Sequence, residues 1–121
     1  LGTGYRDDPT GFGRVVRDEQ NRFIGIVEQK DATSEQQQLK EVNLSCYVFE
    51  CGDLLASLDA LDNTNAQGEY YITDCPGLIM AAGKEVMALD VLKPCESLSI
   101  NTMEDLAVVE AEMERLQANA S

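Results

Sequence analysis

From residue 32 onward, apolar residues at helical spacing and short β-branched or aromatic runs take turns along the chain. That alternation constrains the fold most, because helix-period and strand-period stretches in succession predict helices layered on a partly parallel sheet. ATSEQQQLKE (32–41) carries helix formers behind Thr33 and Ser34 and predicts a short polar helix. LSCYVFE (44–50) is β-branched and aromatic and predicts a buried strand. Leu54, Leu55, Leu58 and Leu61 fall on one face of a helix from about 53 to 62. YYITDCPGLIMAAG (70–83) turns helical near Thr73, whose hydroxyl would cap it, with Pro76 in the first turn and Gly83 as the stop. EVMALDVL (85–92) reads as a strand. Thr102 with Asp105 opens a last helix over 104–117, with Leu106, Val109, Met113 and Leu116 as its stripe and Glu104 and Asp105 at its positive end. Upstream, RVVR (14–17) and RFIGIVEQ (22–29) flank the turn DEQN and predict a hairpin. The expectation is an α/β fold with a mixed sheet and so few strands that an edge stays open.

Length and charge narrow the function. A chain of 121 residues builds one small domain with a modest core. Its net charge is −13, from 22 acidic and 9 basic residues, and that field repels phosphate backbones and anionic lipid. No nucleic acid and no membrane are expected as partners. The same charge sets a condition on any phosphate-bearing ligand, since cations or Mg²⁺ must come from elsewhere. No apolar run is long enough for a bilayer and no leader is evident, so a cytoplasmic location is expected. The first residue is Leu1 rather than Met, which reads as a cut through a larger protein. Cys46, Cys51, Cys75 and Cys95 contain no C-x-x-C, and histidine is absent, which excludes a mixed Cys/His zinc site. The thiols read as buried and free. Without histidine, catalysis would rest on positioning, carboxylates or a metal.

Four features carry candidate chemistry, and each also has a plain structural reading. In TGFGR, Gly11 and Gly13 either make a tight turn or leave room for a ligand to meet backbone amides. Glu28 of IVEQKD is a solvated charge or an acceptor for sugar hydroxyls. Asn43 of EVN and Asn101 of SINTMED serve a loop or a helix cap, or else recognise a sugar and complete a Mg²⁺ shell through oxygen. None is specific alone.

In order, they are. DPTGFGRVVRD, GIVEQKDAT, EVN, YVF, NAQGEYYITD and IN together resemble the bacterial N-acetylglucosamine-1-phosphate uridyltransferases, the pyrophosphorylase halves of bifunctional enzymes. The resemblance runs from about Asp8 to Leu106. It implies a Rossmann-like nucleotidyltransferase domain (glycosyltransferase-A-like), of which residues 1–121 would be the C-terminal, sugar-binding half. The implied reaction joins UTP and N-acetylglucosamine 1-phosphate, with Mg²⁺, into UDP-N-acetylglucosamine for cell-envelope precursors, releasing pyrophosphate. Carried over by motif, Gly13 would contact the sugar through its backbone. Glu28 would accept from its hydroxyls, and Asn43 would hold the sugar and its acetamido group. Asn101 would ligate Mg²⁺ near the phosphates, while Tyr71 and Thr73 would line the sugar side. No residue here takes an acid–base role. The half with the glycine-rich loop, the lysine, the first metal-binding aspartate and the uracil pocket would lie outside this chain, as would the acetyltransferase β-helix. Alone, the chain is then expected to be inactive, with a cut sheet edge open to self-association into a homo-oligomer.

Departures from the family pattern keep other readings open. Leu44 and Ser45 follow Asn43 where the family has Thr-Gly or Ser-Gly, Ser99 replaces a glycine, and Phe12 replaces a tyrosine. They leave room for another hexose 1-phosphate, or for a non-catalytic relative that binds a sugar nucleotide or a protein.

Overall fold

The computed structural model describes residues 1–100 and 102–120. They divide into two compact units, one running from Leu1 to Val91 and a second beginning at Leu92. The first unit is α/β. Its strands are β1 (Gly2–Tyr5), β2 (Arg14–Arg17), β3 (Phe23–Val27), β4 (Glu41–Cys46) and β5 (Leu89–Asp90). They form one sheet in the order β3-β2-β4-β1-β5. β2 runs antiparallel to β3 and β4, β1 antiparallel to β4, and β5 parallel to β1, so the sheet is mixed as expected. Two helices complete the unit, α1 (Cys51–Ala60) and α2 (Cys75–Ala81).

The predicted hairpin forms between β2 and β3. Asp18 organises its turn by accepting from the backbone N–H groups of Gln20 (3.0 Å) and Arg22 (2.8 Å). Asn21 takes φ 62° there, a conformation that asparagine tolerates because its short side chain bonds locally. Val15, Phe23, Ile26 and Ala88 form the core, with Leu1, Tyr47, Met80 and Val86 packed against it. Beside this core lies a buried ion pair. Arg17 grips Glu41 with Nε on Oε2 and Nη2 on Oε1, both at 2.7 Å, and Thr3 Oγ1 donates to the same carboxylate at 2.7 Å.

Several elements differ from the sequence reading. β1 was not expected, because GTGY has no apolar alternation; it forms because β4 and β5 pair with it on both sides. Of residues 32–41, Gln36–Gln38 make a 3-10 turn and Glu41 already opens β4, so the expected helix does not form. That segment has no apolar stripe to bury, and a short helix without one is marginal in water. The strand placed at 44–50 lies instead at Glu41–Cys46, and 47–50 leave the sheet. What pulled it upstream is the burial of Glu41 and Asn43, polar residues whose partners are inside the fold. The strand at 85–92 shrinks to Leu89–Asp90.

α1 begins on Glu50, whose carboxylate accepts from the Asp53 N–H, and buries Ser57 rather than its leucines. Leu55 and Leu58 are exposed. Thr73 does not cap α2; its hydroxyl is committed elsewhere, and Pro76 sits in the first turn as expected. Gly83 ends α2 at φ 81°, with its N–H on Met80 O (2.9 Å) and that of Lys84 on Ile79 O (3.2 Å), the paired bonds of a Schellman stop. Of the four free thiols only Cys75 is fully buried; Cys46 and Cys51 are exposed.

The second unit holds α3 (Met103–Ala120). Its capping box forms as read from the sequence, with the Asp105 N–H on Thr102 Oγ1 (3.1 Å) and the Thr102 N–H on Asp105 Oδ2 (2.9 Å). Leu106 and Val109 of its stripe are half-buried, while Met113 and Leu116 stay exposed. No helix among the described residues is long and apolar enough to cross a membrane.

Candidate functional site

Strand register brings three of the four expected site residues together. Arg14 of β2 pairs with Val27 of β3 on one side and Val42 of β4 on the other. One residue further along the same register, Gly13 falls between Glu28 and Asn43. The contacts agree: the Asn43 N–H donates to Gly13 O at 2.9 Å. A Cβ built on Gly13 would stand 3.3 Å from Glu28 Oε1 and 3.0 Å from Ile26 Cγ2. Glycine here lets the Glu28 carboxylate lie flat against the strand end. The fourth residue, Asn101, lies outside the described residues.

Each member is held by a named neighbour. Glu28 Oε1 accepts from Thr73 Oγ1 at 2.8 Å, so the hydroxyl expected to cap α2 orients this carboxylate. Asn43 is buried; its Nδ2 donates to the Tyr47 hydroxyl at 2.7 Å and its Oδ1 accepts from the Ser45 N–H at 3.2 Å. Arg14 underlies the glycine turn. Its guanidinium is fully buried and donates to Phe12 O and, at 2.7 Å, to Gln29 Oε1. Gln29 Oε1 also accepts from the Gly11 N–H at 3.3 Å. The Gly11 amide is thus engaged within the protein, and Gly11 serves the turn through its φ of 84°.

The loop NAQGEYY is tied to the turn that follows Glu28. Asp31 Oδ1 accepts from the Ala66 N–H at 2.8 Å and pins the loop to the turn after β3. Within the loop, Asn65 Oδ1 accepts from the N–H groups of Gln67 (3.1 Å) and Glu69 (3.2 Å). Gln67 then bridges outward, accepting from Lys30 Nζ at 2.5 Å and donating to the Tyr71 hydroxyl at 2.7 Å. Tyr71 stands on the rim, half-buried.

The electrostatics are mostly negative. Burial first, and then the charges of Asp62, Glu28 and Asp31, push the Asp74 carboxyl above its ordinary range. Burial, followed by the Glu28 charge, likewise holds the Tyr47 phenol protonated to higher pH than usual. Arg14 is bonded to Gln29 and sealed from solvent, and Lys30 is engaged by Gln67. The arrangement therefore suits a neutral, hydroxyl-rich group at Glu28 and Asn43, with the cations for a phosphate supplied from elsewhere.

Tyr47 and Gln67 were not singled out from sequence. Tyr47 sat inside a predicted strand, from which its hydroxyl would not be expected to return to Asn43. A β-bulge makes it return: Gly2 pairs with Cys46 but Thr3 with Asn43, leaving Leu44 and Ser45 unpaired on β4. Ser45 adopts φ 56°, where an L-residue other than Asn or Gly is strained. Ser45→Gly is expected to raise stability by about 0.5–1 kcal/mol, the left-handed penalty outweighing the entropy that glycine adds to the unfolded chain. Urea denaturation of the two proteins checks it, and a lower midpoint for the glycine variant would contradict it.

No protein-family model matches the chain. Its curated relatives include the bifunctional protein GlmU of Streptococcus sanguinis (strain SK36), 42% identical over 113 residues, which is 93% of this chain and 25% of that protein. GlmU of Paraburkholderia phymatum is 46% identical over 104 residues, 86% of this chain and 23% of its own length. GlmU of Marinobacter nauticus is 45% identical over 112 residues, again 93% of this chain and 25% of the relative. The chain thus spans about a quarter of the length of the curated relatives it matches. Over that quarter, the row of Gly13, Glu28 and Asn43 included, the chain is consistent with a fragment of a bifunctional GlmU protein.

Proposed function

We propose that the chain is the sugar-phosphate-binding part of a nucleotidyltransferase that joins UTP to N-acetylglucosamine 1-phosphate, giving UDP-N-acetylglucosamine and pyrophosphate for cell-envelope precursors. One observation carries the reading: Gly13, Glu28 and Asn43, far apart in sequence, stand in one row across β3, β2 and β4 in a chain that matches these proteins. In the reaction, a phosphate oxygen of the sugar 1-phosphate bonds to the α-phosphorus of UTP. The bond from that phosphorus to the bridging oxygen breaks, and pyrophosphate leaves with the electron pair. The attacking oxygen is already anionic, so rate depends on alignment and charge neutralisation more than on a proton acceptor. A chain without histidine can meet that demand.

The chain's own residues bind and orient. Glu28 accepts from sugar hydroxyls with the carboxylate set by Thr73, Asn43 meets the sugar and its acetamido group, and Gly13 leaves the space between them clear. Mg²⁺ belongs to the proposal, with Asn101 as this chain's ligand. Asn101 is outside the described residues, and among those described no group of three or more Cys, Asp or Glu converges on a metal position. Further ligands would come from beyond them, and no step here is routed through the ion. A different hexose 1-phosphate is the second reading. Ser45, a side chain held at φ 56° in the bulge beside Asn43, favours it.

The test has two arms. The chain alone is expected to release no pyrophosphate from UTP and N-acetylglucosamine 1-phosphate. Titration of the ¹⁵N-labelled chain with the sugar phosphate should shift the amides of Gly13, Glu28 and Asn43 saturably. Turnover by the chain alone would overturn its role as a binding part, and the absence of saturable shifts at those amides would overturn the site.

A further inference from the structure

Tyr47 joins an apolar surface to the polar row. Its ring packs against the core and stacks on Phe49, with centroids 5.4 Å apart and planes 25° from parallel. It lines an apolar cavity of about 430 Å³ together with Pro76, Ile79, Val86 and Met87. Its hydroxyl turns away from that surface to Asn43 Nδ2, 2.7 Å away. The sense of this bond is dictated by a second one. The Ser45 N–H can only donate, so the Asn43 atom 3.2 Å from it is Oδ1, and the NH₂ end must face the phenol. Tyr47 therefore accepts and keeps its own proton. Asn43 is held at both ends, with one N–H and one oxygen lone pair left over.

The β-bulge makes this possible. Along a regular strand, residues four apart lie about 13 Å from each other, too far for a hydrogen bond between their side chains. Leu44 and Ser45, unpaired on β4, bend the chain so that residue 47 meets residue 43.

We propose that Tyr47 is a ligand-positioning residue of this site: it fixes the Asn43 carboxamide so that one N–H and one carbonyl lone pair face an acetamido-bearing sugar phosphate. The inference rests on the sugar-phosphate reading above and adds a determinant of which sugar is preferred. An acetamido group offers one acceptor and one donor, which a preset carboxamide meets together. A carboxamide free to rotate loses part of that gain to ordering. A phenol is protonated at neutral pH in any case, and burial with the Glu28 charge moves its titration further up, so the clamp does not open there.

The experiment is an NMR titration of the ¹⁵N-labelled chain with N-acetylglucosamine 1-phosphate and, separately, glucose 1-phosphate. Tyr47→Phe keeps the ring, its stacking and its cavity wall, and Tyr5→Phe, at an exposed tyrosine, is the control. In Tyr47→Phe the affinity for the acetamido sugar should fall about five- to tenfold, the range expected for one hydrogen bond. The preference over glucose 1-phosphate should narrow by a similar factor, and the Asn43 side-chain NH₂ signals should move toward free-amide positions. A general loosening would weaken both ligands equally and leave the ratio alone, which counts against the proposal. If Tyr47→Phe matches the parent protein in both affinities, Tyr47 has no positioning role although the site stands. If the parent protein binds neither sugar phosphate, the site reading fails and this inference with it.

Discussion

Arg17→Met is expected to destabilise the first unit by about 3–5 kcal/mol at neutral pH, the cost of stranding a buried carboxylate. Glu41 is the carboxylate. It lies on β4 with its side chain inside the fold, and both of its oxygens are engaged by Arg17 at 2.7 Å. Burial alone would raise its pKa. The hydrogen bonds from Arg17 and Thr3 outweigh that, and the carboxyl is held below the ordinary glutamate range. A depressed folded-state value contributes stability that is present above the unfolded value of about 4.3 and is lost as pH falls through the folded one. The parent protein should therefore weaken on acidification. Methionine reverses the sign, because Glu41 without its cation keeps the burial that raises its pKa against only the hydrogen bonds of Thr3 and Tyr5. Stability of the variant should be greatest below the unfolded pKa and decline as pH rises. Urea unfolding at pH 7 and at pH 4 tests both limbs together: the gap between the two proteins should be wide at pH 7 and narrow at pH 4. A gap independent of pH would mean that lost packing of the arginine stem, not the stranded charge, carries the cost.

That ion pair also shows where the sequence was hard to read. Elements announced by their own pattern appeared where expected: the β2–β3 hairpin around Asp18, the Schellman stop at Gly83, the capping box of Thr102 and Asp105. Elements defined by partners distant in sequence did not. β4 was placed late because Glu41 and Asn43 look like surface residues until Arg17 and Tyr47 are known to meet them. β1 has no pattern of its own, and pairing with β4 and β5 makes it a strand. The site divides the same way. Gly13, Glu28 and Asn43 stood out through separate motifs, and the register explains why those motifs come to lie in one row. Tyr47 was not legible, since its contact with Asn43 depends on a bulge at Leu44 and Ser45 that bends the strand. Nor did the motifs reveal that Thr73 serves Glu28 and that Gln29 engages the Gly11 amide.

The second large effect is expected at Glu28. Its Oε1 lies against Gly13 and is taken by Thr73, and no hydrogen bond occupies Oε2 among the described residues, so one carboxylate oxygen is left for a ligand. Hydrogen bonds from hydroxyls to a charged acceptor contribute about 1.5–3 kcal/mol each, so Glu28→Ala should weaken N-acetylglucosamine 1-phosphate binding by about 10- to 100-fold. Glu28→Gln separates charge from shape. The amide oxygen can still accept from Thr73, which keeps the strand end in place, but its other atom becomes an NH₂ donor facing hydroxyls it would have accepted from. The glutamine variant should therefore fold as well as the parent protein and still lose most of the alanine variant's affinity. Thr73→Val completes the set: the charge stays and its anchor goes, so the loss should be smaller, about five- to tenfold. Isothermal calorimetry or the amide shifts of Gly13 and Asn43 would rank the three. If glutamine binds like glutamate while valine at 73 abolishes binding, the carboxylate is a structural strut for the loop and the sugar is read elsewhere.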